Sequence, residues 1–260
     1  MKVLVQSDDY GFTRGVVAGM CDAFARGIIT STGLFANMPI AEYAVEQVKK
    51  YPHICLGIDI NVSSGPSVAD PKLLPTLADQ RTGQFIQTSE RQKDPRWREN
   101  VDLFKPYEEV VIEARAQVEK YIALMGHKPE YLHSHSRSGS RNYMRAIMDV
   151  AHEYGIPFSE EVFAKYHIKS TIPHMTGDPW SFENQTADKV KLTLEALEEN
   201  KDEEYILLGS HCGFVDAELM SLTRCNIARS YDHAYLTSPL VKGWLEEHGA
   251  QLISYRDLPM

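Results

Sequence analysis

Long apolar runs are missing from this chain. None approaches the ~18–20 residues that a membrane helix needs, so no transmembrane span is expected. The opening stretch, MKVLVQSDDYGF, is apolar only briefly before it meets two aspartates, so no secretory signal is expected either. Positive charge is in short supply. Lys and Arg number 27 against 36 Asp and Glu, a net charge of −9 with a pI near 5.6. The basic residues are scattered, and an acidic chain without a basic tract is a poor partner for nucleic acid or an anionic membrane. Cysteine is sparse as well. Cys21, Cys55, Cys212 and Cys225 are far apart and form no CxxC, so reduced thiols in a cytoplasmic protein are expected. Repeats, low-complexity tracts and a glycine-rich phosphate loop after the first apolar run are all lacking, and the last of these argues against a dinucleotide fold.

What is present is the composition of an ordinary globular protein. The 260 residues are 43% hydrophobic and 24% charged, enough for a substantial core. Short apolar runs alternate with helical periodicity. Strands are expected at Lys2 to Val5, Ile28 to Phe35, Ile54 to Val62, Tyr131 to Ser134, Ile156 to Ser159, Tyr205 to Gly209 and Gln251 to Tyr255. Helices are expected at Gly15 to Arg26, Ala41 to Lys50, Tyr107 to Met125, Arg141 to Tyr154, Thr186 to Glu199 and from Ser238-Pro239 to Gly249. Gly126 and Gly155 close two of them, and Ser238-Pro239 supplies a favoured cap and first residue for the last.

Strand-then-helix alternation predicts an α/β fold, a distorted, roughly seven-stranded parallel β/α (TIM-like) barrel in a single domain over residues 1–260. Two long segments, Ser63 to Pro106 and Glu160 to Gln185, follow strands. They should therefore lie on the face where the strands end, which carries the site in barrels.

The polar residues that stand out also follow strands. Asp8 and Asp9 follow the first, Asp59 sits within or at the end of the third, His133 and His135 follow or end the fourth, and His211 follows the sixth. Each has a plain alternative: Asp8-Asp9 could cap the following helix, the two histidines could be surface residues, and His211 could be a loop histidine. Asp59 is the exception. A carboxylate inside the apolar run ICLGIDINV, if buried alone, costs several kcal/mol, so it needs a cation, a metal or a proton. His133 and His135 are two apart, which places both on one side of an extended strand. A divalent cation held by two or three carboxylates and imidazoles would account for the set. One Asp and one His would remain for proton transfer, as metal-assisted hydrolysis of an amide or ester requires.

These residues lie in motifs that resemble the YdjC-like carbohydrate deacetylases, which include the chitooligosaccharide deacetylases. Gln6-Ser7-Asp8-Asp9-Tyr10-Gly11 is similar to the family's N-A-D-D-F-G, and Arg26-Gly27-Ile28-Ile29-Thr30-Ser31-Thr32 to its R-G-x-x-T-S-T. Gly57-Ile58-Asp59-Ile60-Asn61-Val62-Ser63 resembles G-x-H-L-N-L-T, and the stretch from Pro129 to Arg137 resembles P-x-H-L-D-S-H-x-H. His211-Cys212-Gly213-Phe214-Val215-Asp216 resembles H-P-G-x-x-D, and the tail from Leu236 to Leu258 is also similar. The resemblance implies a distorted β/α barrel that removes an acetyl group from an N-acetylated amino sugar or small chitooligosaccharide, free or phosphorylated. It implies Asp8 as general base, His211 as general acid, and Asp9 and His135 as ligands of one divalent metal. It leaves a monomer or a homodimer open.

The chain departs from the pattern at four positions. Asp59 stands where the family's third ligand is His, His133 where it has Asp, Arg137 where it has a second His, and Cys212 where it has Pro. The first two changes are reciprocal. Either Asp59 ligates directly or His133 supplies the missing imidazole, and a carboxylate-rich set would favour manganese or magnesium over zinc. Two other outcomes stay open: the same barrel acting on a different amide or ester, where Arg137 would read an anionic group, and a degenerate barrel that binds sugar without catalysis. Phe85, Trp97, Phe104, Tyr107, Trp180 and Phe182 lie in the long loops, where stacking on sugar rings and ordinary loop packing are comparable readings.

Overall fold

The computed structural model describes residues 1–136, 139–171 and 177–260. Seven parallel strands make one curled sheet: β1 (Lys2–Tyr10), β2 (Ser31–Leu34), β3 (Cys55–Ile60), β4 (Leu132–Ser134), β5 (Lys169–Ser170), β6 (Tyr205–Ser210) and β7 (Gln251–Ile253). The order is β4-β3-β2-β1-β6-β5. β2 and β7 share one edge of β1: β7 pairs with Lys2 to Leu4, and β2 pairs with Gln6 to Tyr10. The sheet is a half-barrel, with no pairing between β4 and β5 among the described residues.

Two strand expectations need correction. β1 does not stop at Val5 but continues through QSDDY, so Asp8 and Asp9 end the strand rather than follow it. Polar side chains can continue a central strand when neighbours satisfy them. Ser7 accepts the Cys212 N–H at 2.9 Å, and the Gln6 amide oxygen accepts the Tyr255 hydroxyl at 2.5 Å. The fifth strand is not Ile156 to Ser159. That stretch makes only a single bridge, Leu132 to Phe158, before the helix Ser159–Tyr166 begins, and β5 comes later. The segment 160–185 therefore carries a helix, a short strand and the turn of helix Phe182–Gln185 rather than one long loop.

The core lies between the sheet and its helices. Helix Arg14–Arg26 buries Val16, Val17, Met20, Ala23 and Phe24, the side that its sequence periodicity predicts. Helix Tyr107–Met125 does the same and also fixes the segment 63–106. The buried carboxylate of Glu109 accepts the N–H groups of Thr76 and Leu77, both at 2.9 Å. One turn on, Glu113 accepts from Val68 and Ala69 at 3.0 Å. Buried Arg91 donates to the carbonyls of Ile86 and Leu77 at 2.9 Å and to that of Phe104. These bonds satisfy main-chain groups of a segment with little regular structure of its own. The segment is thus a built wall, and Ser63, Ser64, Gln87 and Thr88 from it line a cavity at the strand ends.

Candidate active site

The strand ends carry Asp8, Asp9, Asp59, His133, His135 and His211 to one cavity of about 800 Å³. All six residues expected from sequence therefore face the same space. Asp59 and His133 are register partners on neighbouring strands β3 and β4. The two reciprocal departures thus lie side by side.

Asp9 is the centre of the floor and is fully buried. It sits at a bulge where the β1–β2 register shifts, with φ of 69°. Left-handed backbone is unusual for a non-glycine residue, though aspartate is among the side chains that tolerate it. In this conformation the Asp9 N–H donates to Asp59 Oδ2 at 2.8 Å, as bulges beside sites often re-aim a strand. The Asp9 carboxylate accepts from Arg229 Nη2 at 2.6 Å, and its other oxygen lies 2.8 Å from His135 Nδ1. Burial alone would raise the Asp9 pKa, but the positive fields of His135 and Arg229 overcome it and hold it well below the usual carboxylate range.

Asp59 is buried too, and no Lys, Arg or His side chain pairs with it among the described residues. Burial first, then the charges of Asp8 and Asp9, push its pKa well above the usual value. Buried in this way, its carboxylate is stable only with a proton or a cation. Its carboxyl occupies space left by a missing side chain: a Cβ on Gly33 would lie 1.8 Å from Asp59 Oδ1.

Asp8 is partly exposed to the cavity. Its Oδ1 accepts the Gln6 amide at 2.6 Å, and its Oδ2 lies 3.7 Å from His133 Nε2. The other nitrogen of His133 lies 2.7 Å from the Ser159 hydroxyl, which donates to Glu160 at 2.6 Å. On the far side, Asp232 accepts the His211 main-chain N–H at 2.9 Å and pairs with Lys189 at 3.6 Å. Arg137 lies outside the described residues.

Sequence reasoning missed Arg229, Gln6, Asp232 and Gly33. Arg229 has no local signal, because its partner is 220 positions away. Gly33 does have one: a glycine inside the β-rich run ITSTGLF marks a close approach.

The donor types suit a divalent cation, but their spacing among the described residues does not form a site. Asp59 Oδ1 is a buried oxygen without a hydrogen-bond partner among the described residues, and Asp9 Oδ1 is met by His135 Nδ1 at 2.8 Å. A buried acceptor left unpaired is costly unless something unseen completes it. Among the described residues, no three His, Cys, Asp or Glu side chains are grouped so that they could hold an ion, so the donors are neighbours rather than a formed cage.

The family model described as YdjC-like protein matches residues 2–247. The chain belongs to the YdjC-like family. A carbohydrate deacetylase 2 of Listeria innocua serovar 6a is 27% identical to this YdjC-like chain, covering 100% of it and 99% of that protein. A carbohydrate deacetylase of Vibrio campbellii is 28% identical, covering 99% and 96%. The fold is shared with the crystal structure of a putative cellobiose-phosphate cleavage protein of Enterococcus faecalis V583, at a TM-score of 0.80, 21% identity and coverage of 100% and 99%. No helix among the described residues is long and apolar enough to cross a membrane, and all four cysteines are free thiols.

Proposed function

We propose that this YdjC-like protein is a metal-dependent hydrolase that removes an acetyl group from an N-acetylated amino sugar or small oligosaccharide. The observation that carries the proposal is the convergence of Asp8, Asp9, Asp59, His135 and His211 from four strand ends on one cavity floor. The names of the relatives support the substrate class, and the four free thiols support a cytoplasmic setting.

Hydrolysis adds water to the acyl carbon and breaks the C–N bond, so one proton must leave the water and one must reach the amine. Asp8 takes the first. It is the floor carboxylate with an open face, and Gln6 and His133 hold it in place. His211 gives the second from the opposite side, its main chain anchored on Asp232. Asp9, Asp59 and His135 would hold the cation, with His133 beside Asp59. When bound, a divalent cation polarises the acyl carbonyl and makes water more acidic. Arg229 keeps Asp9 ionised and oriented by its bond at 2.6 Å.

The test combines acetate release from N-acetylated mono- and oligosaccharides with metal content per chain, in the wild type and in Asp59→Ala and Asp59→His. Release that requires metal, is lost in Asp59→Ala and is kept in Asp59→His supports the reading. Unchanged metal affinity and activity in Asp59→Ala would remove Asp59 from the ligand set. A second reading, a barrel that binds sugar without turnover, is favoured by the guanidinium already neutralising Asp9. A chain that stays metal-free after loading and releases no acetate would establish that reading instead.

A further inference from the structure

The cavity has more room and more kinds of wall than a single acetylated ring needs. Its volume of about 800 Å³ lies toward the upper end of ligand pockets, which span ~300–1,000 Å³. Acids and imidazoles form the floor, and the 63–106 wall offers hydroxyls and amides from Ser63, Thr88 and Gln87. The loop aromatics sort sharply. Phe85 is buried in the core, Trp97 and Phe104 pack on each other with centroids 5.4 Å apart, and the Tyr107 hydroxyl is bonded to Asp149. Phe182 is exposed but does not line the cavity. Of the six, Trp180 alone lines it, with 38% of its surface open to solvent.

The turn that carries Trp180 is also held in place. The Trp180 main-chain N–H donates to Asp178 Oδ1 at 3.0 Å, and its carbonyl accepts the Gln185 side chain at 2.9 Å. Asp178 is tied to Arg224 at 2.6 Å, and Gln185 accepts the Asn226 N–H at 3.2 Å. The turn is therefore braced against the segment that leads to Arg229 and the floor. An exposed indole on a braced turn presents a flat apolar face to the cavity. Phe163, another aromatic of the cavity wall, packs instead against Tyr255, at 6.2 Å.

We propose that Trp180 is a stacking platform for a second sugar ring, the one bonded to the amino sugar whose acyl group sits over Asp8 and His211. Hydroxyl edges of that ring face the polar wall, and its C–H face lies on the indole. Trp180 is thereby a specificity-determining residue that selects substrates of at least two rings. The inference rests on the deacetylase reading for the identity of the first ring.

The experiment compares a di-N-acetylated amino-sugar disaccharide with the corresponding monosaccharide, using the metal-loaded wild type, Trp180→Ala and Trp180→Phe. The expected result is a fall of about tenfold in the disaccharide-to-monosaccharide ratio of kcat/KM for Trp180→Ala, carried by KM, with most of it restored in Trp180→Phe. A ratio unchanged in Trp180→Ala overturns the proposal, as does a loss equal for both substrates. Direct binding separates this from the reading on which it rests. Disaccharide should change the wild-type tryptophan fluorescence, and that change should vanish in Trp180→Phe, where Trp97 and Trp244 remain. A fluorescence change with no acetate released from any substrate supports the platform and sinks the deacetylase reading. Acetate release without the change, or neither signal, overturns the platform.

Discussion

Replacing Arg229 by Met tests the electrostatics of the floor most directly. Arg229 is 1% exposed and Asp9 0%, and their 2.6 Å bond crosses from the helix Ala228–Leu236 to the end of β1. Methionine fills most of the volume but leaves the buried Asp9 carboxylate with His135 as its ion-pair partner among the described residues. Breaking a buried pair from one side costs about 3–5 kcal/mol. His135, 2.8 Å from the other oxygen, persists and places the loss at the lower end, near 3 kcal/mol. For a chain of this size that is a fall in Tm of about 6–12 °C. The acid limb should move as well. Asp9 is held below its ordinary value of 3.8, so its contribution is present above that pH and is lost as pH falls through the lower folded value. Without Arg229 the folded pKa rises, and acid unfolding of Arg229→Met begins at higher pH. Thermal and acid melts of chelator-treated protein measure both effects. The decisive control is Asp9→Asn combined with Arg229→Met, which removes the stranded charge and should be more stable than Arg229→Met alone. Strict additivity of the two substitutions, or a Tm for Arg229→Met equal to that of the wild type, would refute the coupling.

Asp8→Asn should abolish acetate release while metal content stays near that of the wild type, and loss of metal along with activity would show that Asp8 and Asp9 had exchanged roles. Gly33→Ala should destabilise by about 1–3 kcal/mol and displace Asp59, because its Cβ would fall 1.8 Å from Asp59 Oδ1; a melt and a turnover assay matching the wild type would refute the close approach. Lys105 is buried against the Tyr143 ring and donates to the Ser136 carbonyl, and burial, helped by Arg91, lowers its pKa to about 7 from 10.5. The folded protein therefore binds fewer protons than the unfolded chain between those values, and stability should rise from pH 7 toward pH 10.5 by roughly 3–5 kcal/mol. Urea melts of Lys105→Met should lack that rise, and an identical slope in both proteins would sink the assignment.

Helices were legible where their signals are local. Tyr107–Met125 and Arg141–Tyr154 run between the residues expected for them, because Gly126 and Gly155 adopt the left-handed cap and Ser140 caps the second start. Strand ends were less legible. The apolar run ends at Val5, yet QSDDY is strand, since Cys212, Tyr255 and Thr32 satisfy its polar groups from other parts of the chain. Ile156 to Ser159 reads as a strand, yet a helix starts at Ser159, because an apolar run of four residues does not decide between the two.

The site divides along the same line. Asp8, Asp9, Asp59, His133, His135 and His211 could be chosen from sequence alone, since reactive side chains at the ends of parallel strands must meet on one face. Sequence also determined that Asp59 needs a proton or a cation, because a carboxylate in an apolar strand has no water to ionise it. Tertiary structure alone decided that Arg229 neutralises Asp9, that Gly33 makes room for Asp59, and that Trp180, of six loop aromatics, faces the cavity. Those are contacts between residues brought together only by folding. A helix or strand carries its period in neighbouring residues, whereas a pair 220 positions apart leaves no mark on either segment until the chain folds.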